Sequence, residues 1–260
     1  MSPFELGIEL VAGLLAGVFA GVTGAGGGVL LVPILVWLGL PPLSATATSN
    51  VAISLSALSG TWTNLRRFAL PWRRVLLLAI PAMLAAPLGV WLAHSIPAVA
   101  LLLSFAGFNV IAAGLMQLRL RSEDRVDAGA GDSGSDLPPA NAGAALATGF
   151  GGGTLAGLFG VGGGLIMVPF QTLLLSTPVR LASRISLAVV LFASMAAVAA
   201  HLGAGADIHW RTGLVIAVGG LAGAPIGARW LHRLTGRQST RIIQATMLVV
   251  AASFVARALL

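Results

Sequence analysis

The sequence predicts an all-α integral membrane protein made of two inverted-topology repeats, each with about five apolar segments and a glycine-broken or re-entrant helix. Three observations carry this. The 260-residue chain is 57% hydrophobic and 9% charged, with a mean hydropathy of +0.95, whereas a soluble domain carries about 25% charged residues. Apolar stretches of roughly 14 to 22 residues follow one another almost without pause, as in multi-span helical membrane proteins. Finally, GVTGAGGGVLLVP from Gly21 to Pro33 returns as GLFGVGGGLIMVP from Gly157 to Pro169, at a constant offset of 136 residues.

The repeat extends in both directions. Upstream, Gly13, Gly17 and Gly21 correspond to Gly149, Gly153 and Gly157; downstream, AAPLGVWLAH (85–94) resembles GAPIGARWLH (223–232) at an offset of 138. The first repeat (1–118) divides into apolar segments at roughly 6–22, 27–40, 44–62, 73–93 and 97–118. The second (141–260) divides at roughly 143–158, 163–177, 181–203, 210–231 and 239–258. Between them, 119–140 holds five of the eight acidic residues with Gly, Ser and Pro-Pro, the composition of a hydrophilic linker. The second segment of each repeat is short. About 14 residues of helix reach some 21 Å, less than a hydrocarbon core near 30 Å. Each follows a glycine cluster and contains a proline (Pro33, Pro169), so the first two segments form a broken helix pair or a re-entrant hairpin. The expected number of crossings is six to ten, with eight in the middle.

Arginine sets the orientation. Arg66, Arg67, Arg73 and Arg74 flank one loop of the first repeat, while in the second repeat the excess moves one loop on, to Arg229, Arg233, Arg237 and Arg241. Placing both clusters in the cytoplasm inserts the repeats in opposite senses and leaves the acidic N-terminus outside. The net charge of +7 therefore reflects topology, and no nucleic-acid partner is implied. With no cysteine and no lysine, disulfides, thiolate chemistry and a phosphate-loop lysine are excluded. The opening MSPFELGIEL lacks a basic n-region and reads as the start of the first membrane segment.

The glycine clusters are the first candidate site. Gly26, Gly27 and Gly28, like Gly162, Gly163 and Gly164, precede an apolar helix. A helix start offers unpaired N–H groups and a positive dipole end, and glycine lets an anion reach them; Thr23 adds a hydroxyl beside the first cluster. The Gly13 and Gly149 stripes instead have the small-residue spacing of close helix packing. The third segments add Ser49 and Asn50 in the first repeat, and Ser183, Arg184 and Ser186 in the second. Hydroxyls there can bind an oxyanion or bond the helix's own carbonyls. Arg184, inside an apolar run, faces a cavity or a partner, or snorkels to the interface.

His201 is the remaining titratable candidate, for proton or substrate handling; His94, His209 and His232 stand at segment ends. No two histidines lie at i, i+3 or i+4, so no metal site is expected, and no cofactor either. The six tryptophans stand near segment ends, as in an aromatic belt. The acids fall at the N-terminus, in the linker and at Asp207, leaving no carboxylate relay or sodium cage visible.

With its doubled GxGGG-apolar-Pro motif, the Ala47-Thr48-Ser49 run and His209-Trp210-Arg211, the chain resembles the TauE/SafE sulfite exporter family over essentially everything outside the linker. The run Ala182-Ser183-Arg184-Ile185-Ser186 departs from the small polar run expected there. The resemblance implies a multi-pass transporter of the cytoplasmic (inner) membrane, moving sulfite, sulfoacetate or related small anions. The expected partners are such an anion and the lipid bilayer, with homo-oligomerisation left open. Alternating access between the repeats is the expected mechanism. The alternatives are a passive anion channel, an intramembrane enzyme or a membrane scaffold. An enzyme would need a nucleophile with a base, paired carboxylates or a metal, and only a serine with His201 is available.

Overall fold

A computed structural model describes residues 3–23, 27–126, 141–231 and 236–259, and every regular element among them is an α-helix. They are α1 (Pro3–Thr23), α2 (Gly28–Trp37), α3 (Pro42–Arg67), α4 (Trp72–Ser95) and α5 (Ala98–Val126), then α6 (Ala142–Phe159), α7 (Gly164–Leu174), α8 (Val179–Gly203), α9 (Trp210–Leu231) and α10 (Gly236–Leu259). Proline at the first or second position starts α3, where its missing N–H costs nothing. Asn141 caps α6 by accepting from the N–H groups of Gly143 and Ala144. One boundary differs from expectation. Helix α5 runs on through 119–126, eight residues into the segment expected to be linker, because Leu, Arg and Glu there are good helix formers.

The helices pair across the repeats. The first helix of each repeat packs on the fourth helix of the other, α1 on α9 and α6 on α4, while α3 packs on α8 and α5 on α10. The pairing holds residue by residue. Gly13 and Gly17 meet the backbone of Ile216 and Gly220, and Gly149 and Gly153 meet that of Leu78 and Ala82. A methyl group at any of these glycines would strike a carbonyl, so absence of a side chain is what allows the approach.

The contacts also show that the repeats are inverted. Arg184, near the start of α8, lies over Phe68 just past the end of α3. At the opposite pole, the His209 N–H, just beyond α8, donates to Thr48 near the start of α3. Helices α3 and α8 hold equivalent places in the two repeats and run antiparallel. Each is also long, at 26 and 25 residues.

This arrangement decides the short segments. With 10 and 11 residues, α2 and α7 reach about 15–17 Å and cannot span. Gly27 lies against the carbonyl of Ala16 and Gly163 against that of Gly152, so each short helix folds back on its predecessor. The starts of α1 and α3 both lie beside the start of α9, through Glu9–Thr212 and Thr48–His209. The first hairpin therefore enters and leaves on one face, and the second, by the parallel packing of α6 on α4 and the Arg74–Thr177 contact, on the other. Both are re-entrant. Among the described helices, α3, α4, α5, α8, α9 and α10 start at one pole and end at the other. Among the described residues, α4, α8 from Arg180, α6 and Ala98–Leu115 of α5 are long and apolar enough to cross a membrane. Polar residues such as Ser44, Thr46, Thr48, Ser49 and Asn50 keep α3 out of that group.

The core joins both repeats. Phe105 of α5 stacks edge-on against Phe254 of α10 at 4.9 Å and against Phe159 of α6 at 5.3 Å, geometries that aromatic quadrupoles favour. The outer surface is apolar, with Leu84, Ile111 and Val249 exposed, as a lipid-facing wall requires.

Candidate functional site

The two glycine breaks have the same backbone. Gly27 begins α2 at φ 66°, ψ −12°, and Gly163 begins α7 at φ 70°, ψ −14°. This left-handed conformation is open to glycine at no steric cost. Neither start has a side-chain cap, so no side chain engages the first N–H groups of either helix. The breaks also touch. An added methyl at Gly28 would lie 2.5 Å from the Gly160 carbonyl oxygen and 2.6 Å from Val161 Cα. Start of one short helix and end of the opposite broken helix thus meet in the protein interior.

Side chains from α3 and α8 brace this contact. The Ser49 hydroxyl lies 2.8 Å from the carbonyls of both Thr46 and Gly160 and shares its one proton between them. Asn50 Nδ2 donates to the Ala156 carbonyl at 3.2 Å, while its Oδ1 is buried without a partner. The Ser186 hydroxyl reaches the Gly164 carbonyl at 3.4 Å, a weak bond. Of these carbonyls, that of Gly160 stands at the end of α6, where no helical donor follows, while that of Ala156 also accepts from the Gly160 N–H.

The double break therefore gathers Gly27, Gly28, Gly162, Gly163, Gly164, Ser49, Asn50 and Ser186. Gly26 and the side chain of Thr23 lie outside the described residues. Arg184 is 8% exposed, with its guanidinium carbon 3.5 Å above the Phe68 ring. Its charged end is thus at the far end of α3, about 25 Å along that helix from Asn50 at 1.5 Å per residue. Ser183 beside it is half-buried. His201 is fully buried at the end of α8, its ring 5.8 Å from that of His94 at the end of α4. The Gly157 carbonyl faces the His201 ring, but neither ring nitrogen makes a hydrogen bond of good geometry.

Three polar groups escaped the sequence reading. Glu9 is 4% exposed and accepts a hydrogen bond from Thr212 at 3.0 Å, which corrects its reading as an acid of the N-terminus. Because α1 begins at Pro3, Glu9 stands well inside the helix. Arg74, expected to flank a loop, is buried and donates to the Thr177 hydroxyl at 3.0 Å. The repeat offset offered a signal, since Arg74 and Thr212 are equivalent at 138. Gln171 of α7 is buried with both ends of its amide unpartnered, and nothing in the sequence marked it.

Among the described residues, no three His, Cys, Asp or Glu side chains gather into a metal site. A groove of about 720 Å³ between α5 and α10 is lined by Leu103, Val110, Leu248 and other apolar residues, and offers an anion nothing.

Residues 9–255 match the family model described as sulfite exporter TauE/SafE. The chain is 24% identical to "Probable membrane transporter protein YunE" of Bacillus subtilis (strain 168), covering 94% of each chain. It is 29% identical to a "Probable membrane transporter protein" of Haemophilus influenzae, covering 86% of each. A protein of the same description from Xylella fastidiosa is 27% identical over 88% of this chain and 85% of its own. No solved structure matches. The helices, the doubled glycine break and a match over nearly the whole length agree: the chain belongs to the sulfite exporter TauE/SafE family, and is a multi-pass membrane transporter rather than an enzyme.

Proposed function

We propose that this transporter exports small anions, such as sulfite, sulfoacetate or related organosulfonates, across the inner membrane by alternating access between its inverted repeats. The observation that carries the reading is the contact of Gly28, at the uncapped start of α2, with Gly160 and Val161, which shortly precede the uncapped start of α7. Two such starts supply backbone N–H donors and two positive dipole ends to one small anion. No buried acid is described at that contact to repel it. Export also has a driving force. With the interior negative, outward movement of one negative charge gains about 2.3 kcal/mol per 100 mV. The arginine-rich pole, where the α3 end, the α4 start and the α8 start meet, is then cytoplasmic.

The test is uptake and efflux of labelled sulfite, sulfoacetate and sulfate in proteoliposomes. Saturable transport with counterflow supports a carrier. Flux without counterflow would make the protein a passive channel, and no flux of any of the three would overturn the substrate class.

A further inference from the structure

Helix α1 carries a buried acid that the anion site does not use. Glu9 is 4% exposed, and the Thr212 hydroxyl is the single donor to its Oε1; Oε2 is buried with no partner. The elements packed against α1 are α9, α2, α3 and α10. Their described charged or titratable residues are Arg211 on α9 with His209 and Asp207 just before it, Arg66 on α3, and Arg241 and Arg257 on α10. Helix α2 has none. None of these is paired with Glu9, and His209 instead lies 3.6 Å from the carboxylate of Asp207. Among the described residues Glu9 thus has one hydroxyl donor and no paired cation, and a buried acid of this kind on an apolar helix is by default a functional group. A bound proton removes the charge and turns Oε2 into a donor.

The position of the group matters as much as its chemistry. Thr212 belongs to the other repeat, so the hydrogen bond crosses the seam that alternating access must shear. Glu9 is also seven residues from Ala16, about 10 Å along α1, and the Ala16 carbonyl is the group against which Gly27 seats. We infer that Glu9 exchanges one proton with solvent in each transport cycle, and that its protonation couples proton movement to the sliding of α1 on α9. The carboxylate takes a proton from one side of the membrane as a neutral acid and returns it to the other as the carboxylate. The transport arm below rests on the anion-transport reading; the spectroscopic arm does not.

Two measurements on the full chain decide the matter. In proteoliposomes with the membrane potential clamped by potassium and valinomycin, the steady-state distribution of labelled sulfoacetate is measured with and without a pH gradient. One proton coupled per anion shifts that ratio about ten-fold per pH unit. Wild type should show the shift; Glu9→Gln, which keeps the shape and the Thr212 bond, should carry the probe with no response. A flat wild-type response, or a response surviving in Glu9→Gln, overturns the coupling. Should wild type fail to carry sulfoacetate, the substrate class fails separately, and infrared difference spectra of the purified protein decide on Glu9. A deuterium-sensitive protonated-carboxyl band that grows from alkaline to mildly acid buffer, and is missing in Glu9→Gln, supports proton exchange. Its absence from wild type overturns it. If Glu9→Gln does not fold, the Thr212→Val protein takes its place: loss of the hydroxyl donor must move the band, and an unmoved band overturns the assignment.

Discussion

The hydroxyl of Ser49 donates to the carbonyl of Gly160 at 2.8 Å, joining α3 of the first repeat to the residue that caps the broken helix in the second. That carbonyl is buried at a helix end and has no helical donor. Ser49 is therefore bound to the scaffold of the double break. Replacing it by Ala leaves the Gly160 oxygen unsatisfied, at a cost of about 1–3 kcal/mol. Thermal denaturation in detergent should show Ser49→Ala to be less stable than wild type. An unchanged melting temperature with a large loss of substrate affinity would instead make the hydroxyl a direct ligand.

A substitution at Gly28 tests the proposed anion site apart from the left-handed turn beside it. Its neighbour Gly27 needs a positive φ, so any substitution at Gly27 strains the backbone as well as filling space. Gly28 is free of that demand, and a methyl there meets Gly160, Val161 and Ile53. Gly28→Ala should reach the membrane, lose about 1–3 kcal/mol to overpacking, and transport at least ten-fold more slowly at matched expression. Wild-type rates in a well-expressed Gly28→Ala protein would move the anion away from the double break.

Arg184 stacks on Phe68, which stabilises a desolvated guanidinium by about 2 kcal/mol or more. Both Phe68→Leu and Arg184→Lys should lower the melting temperature, because an ammonium stacks less well than a planar guanidinium. Substrate affinity of Arg184→Lys should change by less than about three-fold, or 0.7 kcal/mol. A thirty-fold loss would show that the guanidinium leaves Phe68 to meet the anion.

Topology can be read with single cysteines, since the chain has none of its own. Arg73→Cys and Arg237→Cys should label with an impermeant thiol reagent from the cytoplasmic side, and cysteines at Ser2 and Leu260 from the other. Labelling of Arg73→Cys and Arg237→Cys from opposite sides would contradict the inverted arrangement.

The sequence made the repeat legible because close helix packing needs small residues at fixed spacing, and those glycines recur at one offset. The breaks were legible for a related reason: Gly27 and Gly163 adopt a conformation that few other residues accept. What stayed hidden depends on where a helix starts. Glu9 looks like a terminal acid until α1 is seen to begin at Pro3, which places it two turns inside. Arg74 looks like a loop residue until α4 is seen to begin at Trp72. Arg184 was legible as a charge inside an apolar run, but its partner Phe68 is 116 positions away, and no local pattern announces such a contact.

The reciprocal packing of α1 on α9 and of α6 on α4 bears on the order of synthesis. Helix α4 enters the bilayer long before its partner α6 has been made, and α1 waits longer still for α9. Until then the small-residue faces of α1 and α4 lack their native partners. The first repeat is thus half of a handshake, inserted by its own apolarity but without a native fold until the second repeat arrives from the opposite orientation. Membrane insertion and acquisition of structure are separate events in this chain, and the second must wait for translation of α9.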